Sequence, residues 1–218
     1  MYIAAIDSSY SGAIDTLVDT REALIAAAFK VLEEEGEAKF STRAVLAIAE
    51  VSAPTLYHHF GNADGLLSAT LEKAFRQFLQ SKQAAEQSAD PVIALVEGWD
   101  DYVRFAAARP RLYAAMLSRV LQGGQIPAAE RAFQVLIQQL RAIDAQGRLA
   151  MDVDAAADRM WASANAASLL HVTARVRQAP PPSQAVLLDL RESALKAILS
   201  PVRKKTGRKK AARKKGAR

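Results

Sequence analysis

Apolar residues recur three and four positions apart along most of the chain, and Gly and Pro fall between the periodic stretches rather than within them. Leu24, Ala27, Ala28, Val31 and Leu32 form one stripe, which Gly36 ends. Asp19, with Glu22 three residues on, has the pattern of a capping box at its start. Two short helices are expected next, one over about 41–49 and one over about 53–60, where Pro54 suits a first turn. A longer helix follows Gly61-Asn62, with Leu66, Leu67, Leu71, Phe75 and Phe78 as its stripe. Five more are delimited by Asp90-Pro91, Pro110, Gly123-Gly124, Gly147, Pro180-Pro181-Pro182 and Ser200-Pro201. The fold class is therefore all-α, with about nine helices and no sheet.

The segment 40–60, FSTRAVLAIAEVSAPTLYHHF, carries the most information. Two short helices joined by a three- or four-residue turn place the N-terminal side chains of the second where a major groove can receive them. Val45, Leu46, Ala49, Val51 and Leu56 would pack the pair, and Ser52 would cap the second helix. Ala53, Thr55, His58 and His59 then fall on or near its outer face, with Tyr57 and Ser41 placed to reach phosphate oxygens and Arg43 a further candidate DNA contact. Tyr57 suits core packing equally well, because its ring is apolar and its hydroxyl polar; Phe60 reads as core. The expected organisation is an arm over 1–15, a helix-turn-helix domain over 16–62, a helical effector-binding and dimerisation domain over 63–200, and a basic tail over 201–218.

At these residues the chain resembles the TetR family of regulators: the helix from Thr20, Ser41-Thr42-Arg43, Ala49-Glu50-Val51-Ser52, and above all Thr55-Leu56-Tyr57-His58-His59-Phe60-Gly61. The resemblance implies a nine-helix homodimer that binds a double-stranded DNA operator, usually as a repressor, and is released by a small-molecule effector held in its C-terminal domain. Glu50 stands where the family usually has Gly, and Ala63 stands where it has a phosphate-binding lysine.

In the second region Trp99, Tyr102, Phe105, Tyr113, Met116, Trp161, Asn165 and His171 are candidates to line an effector pocket, although aromatic stripes at this spacing also build ordinary cores. The face Ala157, Trp161, Ala164, Ser168 and His171, with Leu187, Leu190 and Ala194, is an alternative dimer interface.

Charge changes this picture in one respect. The net +6 comes from a repeated RKK tail: Arg203 to Arg218 holds ten bases and no acid, whereas residues 15–60 hold eight acids against four bases. Counterion release from such a headpiece is weak, so Lys204, Lys205, Lys209, Lys210, Lys214 and Lys215 are expected to add sequence-independent DNA affinity. The same observation supports an alternative reading, a nucleoid-associated architectural protein that acts mainly through its tail.

No Cys is present, His58 and His59 are neighbours that point about 100° apart, and no acid joins them at ligand spacing. No metal or cofactor is therefore expected. Nor is an enzyme, since neither a Gly-rich phosphate loop nor a catalytic constellation occurs. Without a membrane-length apolar run, a cytoplasmic setting at the nucleoid is the expectation.

Overall fold

The structure is a computed structural model that describes residues 4–84 and 88–201, and the side chains of 19–80 and 88–201. Nine α-helices occur among the described residues: α1 (Ala4–Glu35), α2 (Thr42–Ala49), α3 (Ala53–Phe60), α4 (Ala63–Ala84), α5 (Pro91–Ala108), α6 (Pro110–Leu121), α7 (Pro127–Ala145), α8 (Val153–Arg177) and α9 (Gln184–Ile198). The first helix is longer than its capping pattern suggests. It runs from Ala4, so Asp19 lies within it, and the Glu22 carboxylate takes Lys73 of α4 rather than closing a capping box.

The small N-terminal core gathers Leu24, Ile25, Ala28 and Val31 of α1, Val45 of α2, Leu56 of α3 and Leu66 of α4. Three helices of eight to a few dozen residues cannot bury enough surface alone. They are held because α4 continues out of this core into a second one, where Leu71, Ala74, Phe75 and Leu79 meet Leu112, Ala115 and Met116 of α6 and Ala128 of α7. A third core joins α5, α7, α8 and α9 around Trp99, Leu140, Ile143, Met160 and Ile198. Asp90 caps α5 by accepting the Val92 N–H at 2.8 Å, and Asp152 caps α8 through the Ala155 N–H at 2.8 Å.

The expected two-helix interface must be redrawn. Ala157, Ala164 and Ser168 are buried inside the chain, the first two within the α5–α9 core, so that part of the face is already occupied, whereas Trp161 is exposed and His171 half-buried. The large apolar residues left exposed are Trp161, Leu169, Leu170 and Val176 on α8 and Val186 and Leu188 on α9. Apolar residues occur on more than one side of α8, so periodicity alone does not say which side faces its own chain.

Candidate functional site

The helix-turn-helix is built around Glu50. It ends α2 in the left-handed region at φ 55°, ψ 36°, and its N–H bonds back to the Leu46 carbonyl. This is the conformation in which Gly is favoured, because a Cβ crowds the backbone. Ser52 occupies the N-cap position of α3 but makes no side-chain cap; its hydroxyl meets Thr55 Oγ1 at 2.9 Å. Thr55 is half-buried and its hydroxyl is held in place by that contact.

Leu56 is buried and pins α3 to α1 and α4, and it thereby turns the opposite side outward. Tyr57 is 53% exposed, and Ala53 and His58 are exposed beside it, as are Ser41 at the start of α2 and Arg43 on it. Ser41 makes no side-chain cap for α2, which leaves its hydroxyl available to an outside acceptor. His59 differs: it is half-buried, and its Nε2 is shielded from solvent with no partner among the described residues. Phe60 packs on the small core and receives the Arg21 guanidinium over its ring at 5.2 Å. The six tail lysines lie outside the described residues.

Two details fix where α4 starts. Asn62 Oδ1 accepts the Gly65 N–H at 2.7 Å, so one N-terminal amide of α4 is already used. Gly65 sits so close to α3 that an added Cβ would lie 2.1 Å from the Phe60 carbonyl oxygen.

In the body, α4 to α8 line a cavity of about 1320 Å³ that opens to solvent. It is lined by six of the eight aromatic and polar residues singled out in the sequence: Trp99, Tyr102, Tyr113, Met116, Trp161 and Asn165. Phe105 and His171 are not on its lining. Phe105 stacks on Phe78 with centroids 5.0 Å apart, and His171 is half-buried on α8 with its Nε2 unpartnered among the described residues, its pKa lowered by burial. Sequence reading missed Phe75, Phe78, Phe133 and the acids Glu130 and Asp158. Phe75 and Phe78 were legible only as core, since a stripe does not show which core residues face a void.

A polar cluster crosses this cavity. Asn165 Nδ2 donates to the Trp161 carbonyl at 2.8 Å, which orients the amide so that Oδ1 accepts the Tyr113 hydroxyl at 2.5 Å and the Tyr102 hydroxyl at 3.2 Å. Burial raises the pKa of both phenols, which remain protonated donors. The Trp99 indole donates to Ser163 Oγ at 2.9 Å, and Ser163 in turn donates to the Leu190 carbonyl of α9 at 3.2 Å.

These elements form an all-α architecture, a helix-turn-helix head on a hollow helical body. Residues 24–70 match the family model described as bacterial regulatory proteins, tetR family. A regulator named BetI from Stenotrophomonas maltophilia is 25% identical over 117 residues, 51% of this chain and 60% of that protein, so the match spans less than two thirds of that relative. A TetR family transcription regulator from Shewanella sp. PV-4 shares the fold at a TM-score of 0.64 and 21% identity, covering 84% of this chain and 99% of that one. The multidrug binding protein EbrR, solved with imidazole, does so at 0.60 and 21%, covering 84% and 92%. Residues 24–70 are thus similar to the DNA-binding domain of the TetR family of transcription regulators, and the described chain shares the fold of solved structures from that family. No described helix is long and apolar enough to cross a membrane.

Proposed function

We propose that the chain binds a DNA operator as a homodimer, represses transcription there, and is released by a small molecule that enters the body cavity. One observation carries this reading: α4 is shared between the two functions. Its Leu66 packs the helix-turn-helix core, and Phe75, Phe78 and Leu79 further along line the cavity. A ligand that favours one position of α4 therefore favours one position of the reading head. On the head, Ala53, Thr55 and His58 are the proposed groove-facing residues, Tyr57 and Ser41 hold their helices in register through phosphates, and Arg43 is a further DNA contact.

Dimerisation is supported by the exposed apolar residues Leu169, Leu170, Val186 and Leu188. Two heads about 34 to 36 Å apart would match successive turns of the major groove. The name of EbrR, a multidrug binding protein, is in keeping with a small-molecule role for the cavity in this chain.

Selection of bound sequences from a random DNA pool tests the reading, using the full chain and a version ending at Val202. A two-fold symmetric sequence enriched by both versions is expected. Enrichment of no sequence by either version would favour the alternative, an architectural protein acting through its basic tail. A monomer by light scattering at micromolar concentration, with and without DNA, would refute the dimer.

A further inference from the structure

The fold decides where the basic tail leaves the body, and it leaves far from the head. After α9 the Ser200 N–H donates to the Arg148 carbonyl at 2.8 Å and the Ser200 hydroxyl to the Leu149 carbonyl at 2.9 Å. The Ala150 N–H donates to the Ile198 carbonyl at 2.8 Å, so the end of α9 is stitched to the segment between α7 and α8. Arg148 in turn donates to the Asp90 carboxylate at 2.8 Å. Asp90 caps the start of α5, and α5 runs back to the head: Arg109 at its other end pairs with Glu33 of α1 at 3.4 Å and lies over the Phe29 ring at 5.0 Å. The course of α4 agrees, since Leu66 near its start packs in the head core and Ala84 ends it shortly before Asp90.

The 18 residues of α5 span about 27 Å, and the head adds at least one helix diameter, about 10 Å, before α3 meets DNA. An operator held by the same head therefore lies roughly 37 Å from the exit at Pro201. Covalent geometry limits what can cross that distance, at about 3.3–3.6 Å per residue. Arg203, Lys204 and Lys205 lie within about 14 Å of Pro201 even on a fully extended chain. Arg208, Lys209 and Lys210, at most about 32 Å out, would need the chain drawn straight along the body. Only Arg213, Lys214, Lys215 and Arg218 have length to spare, so what the tail adds at the operator falls to them.

Resting on the reading of the head as an operator binder, we infer that the chain carries a second, sequence-independent site for double-stranded DNA at the end of its body opposite the head, supplied by the cations of 203–210, and that it joins an operator to another duplex. Six cations per chain, hence twelve in a homodimer, match the charge of about 20 Å of duplex, which carries one phosphate charge per roughly 1.7 Å. No acid lies within 203–218 to neutralise them. No aromatic residue lies there either, so nothing in the segment stacks on the unpaired bases of single-stranded nucleic acid, and the dense phosphate charge of a duplex is the better partner.

A capture experiment tests the bridge. Beads carrying the duplex enriched in the selection above, loaded with the full chain and washed, should retain a fluorescent duplex of scrambled sequence. The version ending at Val202, loaded to the same level, should retain at least tenfold less. Combining Arg203→Gln, Lys204→Gln and Lys205→Gln should lower capture at least threefold and leave affinity for the isolated operator duplex within twofold, because these three do not reach it. Equal capture by the version ending at Val202, or no capture by the full chain, would overturn the inference. So would a triple variant that loses operator affinity as much as capture, since the tail would then act on its own operator. Displacement of the captured duplex by single-stranded RNA at a tenth of its nucleotide concentration would assign the tail to RNA instead. Failure of the bridge is separable from failure of the regulator reading. If a sequence is enriched but its beads capture nothing, the inference alone fails; if no sequence is enriched, the regulator reading fails and the inference with it.

Discussion

Arg119, near the end of α6, grips Asp64 in the first turn of α4 with both terminal guanidinium nitrogens, the second at 2.7 Å, and also donates to Ser68 Oγ at 2.8 Å. The contact ties the head-side end of α4 to a helix of the cavity wall. Arg119 holds the Asp64 carboxyl below its ordinary pKa, chiefly by hydrogen bonding. A carboxyl depressed in the folded state adds stability above its unfolded pKa and loses it as pH falls through the folded value.

Asp64→Asn should therefore destabilise the protein at pH 7 by about 0.5–1 kcal/mol, the scale of a largely exposed pair. The difference from wild type should shrink as pH falls below about 4. Urea melts at several pH values check this; a deficit that stays constant with pH would show that the charge is not responsible.

Glycine exchanges in the head should act in opposite directions. Glu50→Gly relieves a left-handed residue and, after the added backbone entropy of Gly, should stabilise by about 0.5–1 kcal/mol, or roughly 1–4 °C in Tm. Gly65→Ala drives a Cβ into the Phe60 carbonyl and should cost about 2 kcal/mol. Thermal melts of both variants decide the matter, with Glu50→Ala as the control that keeps a Cβ and should bring no such gain.

Tyr57→Ala and Thr55→Ala should each abolish or greatly reduce operator selectivity while leaving tail-driven binding to random DNA largely intact. Thr55 acts with Ser52, so Ser52→Ala should show a weaker form of the same defect. Fluorescence anisotropy on operator and scrambled DNA at matched salt measures both quantities. Unchanged selectivity in the Tyr57 and Thr55 variants would move the reading surface elsewhere.

Deleting residues 203–218 should weaken operator and random DNA by similar factors and flatten the log-log salt slope by about 0.9 for each phosphate that the tail had neutralised. A repeat without an apolar face has no fixed geometry with which to read bases. Affinities at several salt concentrations test this: an unchanged slope would mean that the tail does not touch DNA, and a fall in selectivity would mean that it reads sequence or groove shape.

Sequence alone determined the helices and the head, because these depend on local signals. The punctuation at Asp90-Pro91 and Gly61-Asn62 sits where α5 and α4 begin, and the stripe of Leu66 and Leu71 is buried as its period requires. The start of α1 was not legible, since Asp19 and Glu22 form a cap pattern that the helix runs through; a local capping signal is weak beside continued helical propensity. Only tertiary packing decided which side of each buried helix met a neighbour and which met a void. It turned Ala157 and Ala164 inward, left Leu169 and Leu170 outside, put Trp161 on the cavity and kept Phe105 off it. A period of 3.6 identifies an apolar face, but nothing local in the sequence specifies what lies opposite that face, and it is this that separates a core from a pocket or an interface.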